Sequence, residues 1–171
     1  MITQRARALT KDYNNLSNTD ISKFTFTDCH FGECNLSMVR SAQTRMSNIQ
    51  FSGCKIVGFH FDHCNQFGLS VAFKDCILNL SSFFNMKLEE TGFINSALIE
   101  TDFTACDLTA ALFDNCDLNK AVFDGSVLEK ADFRSSYNYS IDPQLNKIRK
   151  AKFSMNAVVG LLNAYDIVIE P

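Results

Sequence analysis

Residues 101–118 read Thr101-Asp102-Phe103-Thr104-Ala105-Cys106-Asp107-Leu108-Thr109-Ala110-Ala111-Leu112-Phe113-Asp114-Asn115-Cys116-Asp117-Leu118. Every fifth residue is large and apolar, and the residue two places before it is small. The pattern runs outward from Val71 to Phe133, with Phe73, Leu78, Phe83, Leu88, Phe93, Leu98, Phe103, Leu108, Phe113, Leu118, Phe123, Leu128 and Phe133 as its large members. Of the residues two places earlier, all but Met86 are small. All seven cysteines (Cys29, Cys34, Cys54, Cys64, Cys76, Cys106 and Cys116) fall at that small phase. A helix repeats its apolar face near 3.6 residues and a strand every two, so a period of five fits neither. A chain keeps one large and one small residue inward in every five only by turning a corner in each five. Such coils bury a continuous core when they stack, which no single coil does alone.

Units such as Ala131-Asp132-Phe133-Arg134-Ser135 and Cys106-Asp107-Leu108-Thr109-Ala110 resemble the pentapeptide-repeat family. The resemblance covers roughly residues 14–153. It implies an all-β fold, a right-handed quadrilateral parallel β-helix with four pentapeptides, or twenty residues, per coil. On that spacing Phe73, Phe93, Phe113, Phe133 and Phe153 stack on one side, and Phe83, Phe103 and Phe123 stack opposite. Leu78, Leu98 and Leu118 then face Leu88, Leu108 and Leu128. Stacked strands lie about 4.8 Å apart, so the rings form ladders.

The first half is in a different phase, marked by Leu16, Ile21, Phe26, Phe31, Leu36, Ser41, Met46, Phe51, Ile56 and Phe61. Two extra residues enter between Phe61 and Phe73, within residues 64–70. They read as a bulge at a corner, with Gly68 supplying the unusual backbone angles. Allowing for the bulge, Phe31 and Phe51 join the column of Phe73 and Ile56 joins that of Leu78. Ser41 and Gln43–Thr44 mark the poorest coil and the expected soft point. Residues 1–13 show no register. The solenoid is expected over 14–153, with a loop at 135–148 built on Asp142-Pro143. Residues 154–171 are read as a cap. Its short helix runs from Ala157 to Asn163, is capped by Ser154 or Asn156, and carries the apolar stripe Val158, Leu161 and Leu162. A terminal strand at Asp166–Ile169 follows.

Parallel stacked cysteines point the same way, which suits neither a disulfide nor a tetrahedral metal site, so they read as inert core thiols. His30, His60 and His63 occupy outward phases. His60-Phe61-Asp62-His63 could gather two imidazoles and a carboxylate, but isolated surface histidines are the plainer reading. The sequence calls for no metal or cofactor. A filled core leaves no substrate cavity, and no nucleophile–base pairing or glycine-rich phosphate loop can be assembled, so an enzyme is not expected. The N-terminus lacks a signal-peptide run, and the thiols suit a cytoplasmic, reducing setting.

Charge supplies the functional hint. Residues 1–74 carry a net +3, residues 75–132 a net −8 and residues 133–171 a net +2. An acidic middle presents a field that attracts a basic, DNA-binding groove. Pentapeptide-repeat proteins include the quinolone-resistance (Qnr) branch. The resemblance to that branch implies mimicry of duplex DNA, with DNA gyrase or topoisomerase IV as the partner and no direct contact with nucleic acid. The candidate partner-binding face is Glu89, Glu90, Asp107 and Glu129. The same resemblance implies a homodimer through the C-terminal cap, with Val158, Leu161 and Leu162 as candidate contacts. A scaffold rod that binds another cytoplasmic protein is the alternative. The bulge near Gly68 is far shorter than the projecting loops that many Qnr proteins use.

Overall fold

The computed structural model describes residues 5–6, 15–165 and 167–170. Six parallel strands form one sheet in chain order: β1 (Arg5–Ala6), β2 (Thr25–Gly32), β3 (Arg45–Ser52), β4 (Val71–Lys74), β5 (Gly92–Ile94) and β6 (Leu112–Asp114). Isolated parallel bridges such as Ser82 with Asp102 and Lys87 with Asp107 tie the other sides of each coil to the coil above. The chain is therefore a parallel β-solenoid. Partners are twenty residues apart, as Phe93 with Phe113 and Ala97 with Asp117.

The core consists of the predicted columns. Phe31, Phe51, Phe73, Phe93, Phe113, Phe133 and Phe153 form one ladder, with successive centroids 4.6–5.4 Å apart. Phe61, Phe83, Phe103 and Phe123 form the opposite ladder, at 4.5–5.2 Å. The ladders meet edge to face across the interior, as Phe93 and Phe103 do at 5.6 Å and 83°. Both arrangements are favoured by the ring quadrupole. Leu78, Leu98 and Leu118 fill one remaining wall and Leu88, Leu108 and Leu128 the other, all buried.

The small inward residue has a second duty that explains its chemistry. At several corners its side chain donates to the carbonyl of a large residue one coil below. Ser126 Oγ reaches Phe103 O at 2.6 Å, Ser136 Oγ reaches Phe113 O at 2.7 Å and Thr101 Oγ1 reaches Leu78 O at 3.1 Å. Cysteine makes the same link: Cys106 Sγ to Phe83 O at 2.8 Å and Cys116 Sγ to Phe93 O at 3.2 Å. At a small, buried position Ser, Thr and Cys can each add this donor, while Ala111, Ala121 and Ala131 fill the same phase without it.

The corners hold a feature that the sequence reading assigned only to Gly68. The residue two places after the large one takes a left-handed backbone at nearly every corner, as at Asn85 (φ 55), Glu90 (φ 58) and Asn95 (φ 48). At most corners the chain closes a turn, for example Met86 N–H to Phe83 O at 3.1 Å. Positive φ at the third residue of such a turn is the type II geometry. Asparagine tolerates it and is common there.

The two-residue insertion lies where expected. Arg45 pairs with Asn65, twenty residues on, while Ile49 pairs with Val71, twenty-two on. Gly68 has φ 69, Asn65 Oδ1 accepts the Phe67 amide at 3.0 Å, and Phe67 is 91% exposed at the tip. The small Ser41 lies in the column of Phe61, and Val39 and Phe59 occupy the normally small phase beside them; all are buried. The hydroxyls of Ser41 and Thr44 are bonded to His60 O and Ile21 O, each at 2.8 Å.

The ends differ from expectation. Arg5 and Ala6 pair with Thr25 and Phe26, so the twenty-residue spacing reaches into the segment without visible register; the rest of residues 1–13 lies outside the described residues. Within 135–148, expected as a loop, Tyr137 still pairs with Asp117 and Lys147 with Val127. The expected helix is instead two 3-10 turns, Val158–Leu161 and Asn163–Tyr165, with Ala157 rather than Ser154 or Asn156 at the first N-cap and no side-chain cap. Gly160 explains this. Its carbonyl, which an α-helix would give to the next turn, accepts the Ile141 amide at 3.0 Å. A Cβ at that position would lie 2.2 Å from Tyr139 O. Residues 167–169 form no strand; Asp166 lies outside the described residues.

Candidate functional site

With the interior filled, interaction chemistry belongs to the outward phases, one before and one or two after each large residue. Glu89, Glu90, Asp107 and Glu129 do share one side, that of Leu88, Leu108 and Leu128. They are not alone there. Lys87 pairs with Asp107, and Val127 pairs with Lys147, in one file along this side. Lys130 and Arg149 lie in successive coils of the same side, joined by a backbone bond at 3.0 Å. Burial pushes the Asp107 carboxyl up, but Thr109 outweighs it by donating from its hydroxyl at 2.6 Å and its amide at 3.0 Å. Glu89 and Lys87 add to the effect, so the carboxyl lies below its ordinary value.

The net −8 of residues 75–132 is thus a band around the middle coils rather than a stripe along one face. On the Phe83 side the band shows Asp102 and Asp124, and the units 81–85, 101–105 and 121–125 that build it contain no Lys or Arg. On the Phe73 side it ends at Asp132, which Arg134 grips from Nε at 3.0 Å and Nη2 at 2.8 Å. The Arg134 hydrogen bonds hold the Asp132 carboxyl down at about 2, against burial and with help from Lys152.

Two outward features escaped the sequence reading. Met38, Ile77 and Leu80 are exposed on the Leu78 side, at 59%, 44% and 58%. Phe67 projects from the bulge. The signal was present as apolar residues at outward phases, but attention to the inward period passed over it. At the C-terminus, Leu161 packs partly against the core and Val158 and Leu162 are half-buried. The most exposed apolar residues there are Met155 and Val168.

The histidines are not isolated as expected. His30 stands apart, its Nε2 2.6 Å from Ser52 Oγ. His60 and His63 stack at 4.6 Å and 11°, and Asp62 lies 3.3 Å from His60 Nδ1 and 3.7 Å from His63 Nε2. A 3-10 turn at Phe61–His63 brings them together, because it places residues three apart on one side. Beside them is a surface groove of about 360 Å³, lined by Ser22, Met38, Arg40, Ala42, His60 and His63 among others. The thiols are all buried. Burial pushes Cys106 up to about 12 and Cys116 to about 11, so neither is a ready nucleophile or ligand. Among the described residues, no helix is long and apolar enough to cross a membrane.

A square stack of five-residue sides with this corner chemistry defines a solenoid class, and comparison with known proteins agrees. The family model for pentapeptide repeats matches residues 101–136. The chain carries pentapeptide repeats and is built as a pentapeptide-repeat solenoid. It superimposes on a trypsin-treated variant of QnrB1, a plasmid-mediated fluoroquinolone resistance protein, with a TM-score of 0.67 at 13% identity. That match covers 97% of this chain and 99% of the other. The pentapeptide repeat protein Rfr23 from the cyanobacterium Cyanothece 51142 matches at a TM-score of 0.31 and 15% identity, covering 63% of this chain and 89% of that one. No curated protein matches the chain in sequence.

Proposed function

We propose that the chain is a non-enzymatic protein-interaction module of the cytoplasm whose most concrete activity is to bind DNA gyrase or topoisomerase IV as a mimic of duplex DNA. The observation that carries the reading is the end-to-end likeness in fold to a fluoroquinolone resistance protein. The acidic band supports it, because a net −8 across the middle coils attracts a basic groove. Direct binding to nucleic acid is disfavoured on the same ground, since phosphates are attracted by basic surfaces. The reading includes a homodimer through the cap formed around Val158, Leu161 and Leu162.

A scaffold rod for another cytoplasmic protein is the second reading. The exposed Met38, Ile77 and Leu80 favour it, because a partner surface with an apolar centre would cover them. A supercoiling assay with purified gyrase separates the two. The mimic inhibits supercoiling, or protects the enzyme from a fluoroquinolone, at micromolar concentration; no effect removes the mimicry reading. The combined change Glu89→Lys, Glu90→Lys, Asp107→Asn and Glu129→Lys abolishes the effect if the Leu88 side is the contact. An unchanged effect moves the contact to another side, with Asp102→Lys and Asp124→Lys the next pair to change.

A further inference from the structure

We propose that His60, Asp62 and His63 form a surface site for a divalent first-row transition ion such as Zn²⁺, independent of any topoisomerase partner. The argument begins with the corner itself. In the coil below, the corresponding corner holds Gln43 with φ 61, and in the coil above it holds Asn85 with φ 55. At His63 the left-handed residue is replaced by the 3-10 turn Phe61–His63, closed by the Cys64 amide on Phe61 O. The turn keeps Phe61 fully buried and stacked on Phe83 at 4.5 Å, so the aromatic ladder continues through this corner.

The rearrangement puts one ligand atom from each of the three residues within 4.8 Å of the others. Ligands held at 2.0–2.2 Å around a tetrahedral ion stand about 3.3–3.5 Å from each other. The His60 Nδ1 to Asp62 Oδ1 separation of 3.3 Å, a hydrogen-bond contact as it stands, matches that edge, and His63 Nε2 stands 3.7 Å from the other carboxylate oxygen, Oδ2. The near-parallel rings do not yet aim at one point, so a rotation of the His63 ring completes the set. Both imidazoles are more than half exposed and free to make that rotation, while the Asp62 side chain is only 18% exposed and sits as the fixed ligand between them.

The donor set selects the ion class. Two imidazoles and one carboxylate suit zinc, nickel, cobalt or copper, and not calcium or magnesium, which need oxygen ligands. Three protein ligands leave at least one coordination position for water or for a donor atom from elsewhere. His60 and His63 both line the groove of about 360 Å³, so a bound ion would lie beside open space. The nearby cation Arg40 is paired with Asp20 at 3.3 Å, which reduces its repulsion of a bound ion.

Cobalt is the informative probe, because it reports ligand type by its colour. Chelator-stripped protein titrated with Co²⁺ is expected to give visible d–d bands that saturate at one equivalent and are displaced by Zn²⁺. His60→Gln, His63→Gln and Asp62→Asn should each weaken binding at least tenfold, while His30→Gln leaves it unchanged. Far-ultraviolet circular dichroism confirms that each variant keeps its fold. No saturable binding overturns the proposal, as does binding that survives His63→Gln. A near-ultraviolet thiolate charge-transfer band also overturns it, since the ion would then sit on cysteines.

Discussion

From Val71 to Phe133 the five-residue unit recurs without interruption, with a bulky residue inward and a companion two places before it. From Phe59 to Ser70 the molecule does something different at every step: a large residue at the small phase, a 3-10 turn, then a two-residue bulge. Yet Phe61 continues its ladder onto Phe83 at 4.5 Å, and Phe51 continues the other onto Phe73 at 5.2 Å. The contrast separates two kinds of position. Inward residues are held by the coils above and below, so their geometry cannot drift. Outward residues are less constrained, and the 3-10 turn and the bulge both lie on that outer surface.

The largest expected effect compares two phenylalanines. Phe103 is buried between Phe83 at 5.2 Å and Phe123 at 5.1 Å, whereas Phe67 is 91% exposed. Phe103→Ala should cost about 3–5 kcal/mol in urea denaturation, and Phe103→Asp should prevent folding, because it buries an unpaired charge. Phe67→Ser should stay within about 0.5 kcal/mol of the parent. Equal losses for Phe103→Ala and Phe67→Ser would end the distinction between inner and outer positions.

Next in size is the bond between coils. Ser126 donates to Phe103 O at 2.6 Å and accepts the Cys106 amide at 3.2 Å. Ser126→Ala removes one of two bonds on the Phe103 carbonyl, which still accepts the Cys106 amide at 3.1 Å, and should cost about 0.5–1.5 kcal/mol. Ser126→Cys should cost less, because Cys106 and Cys116 make the same link elsewhere in the rod. By the same logic Cys106→Ser should be better tolerated than Cys106→Ala. If alanine and cysteine at position 126 are equivalent, the donor role of the small phase is wrong.

The smallest effect is electrostatic. The Asp132 carboxyl is depressed to about 2, chiefly by Arg134, from an unfolded value near 3.8. Its contribution to stability is therefore fully present above the unfolded pKa and is lost as pH falls from about 4 through about 2. Urea denaturation across that window should show Asp132→Asn losing less stability than the parent as the acid is added. The difference is small because Arg134 is 64% exposed and solvent screens the pair. An identical acid slope would mean that the pair adds nothing.

These comparisons also show why the sequence was readable in some places and opaque in others. The ladders were legible because a side chain buried on every fifth position leaves a literal period, and the bulge was legible as a break in it. The left-handed corners were visible only where Gly or Asn stood, since Glu90 and Lys120 adopt the same conformation without advertising it. His60 and His63 carried the spacing of a pair, but their meeting depends on a turn that only the neighbouring coils decide. Val158, Leu161 and Leu162 mimic a helical stripe, and nothing local reveals that Ile141 claims the Gly160 carbonyl. The mixed charge of the Leu88 side was hidden for a related reason. Which lysine stands beside which carboxylate depends on the twenty-residue translation, and Lys87 beside Asp107 and Lys147 beside Val127 appear only once the coils are laid over each other.

The bulge at residues 66–70 shows how such a rod tolerates change. Two residues enter between one turn of the tube and the next, and every later position carries a shifted number. Even so, Val71 settles over Ile49 as though nothing had intervened. A corner is thus a place where chain length can grow without the interior having to be redrawn. Lengthening this one, with Phe67 already at its tip, offers a way to graft a grasping element onto the rod while leaving its aromatic spine untouched.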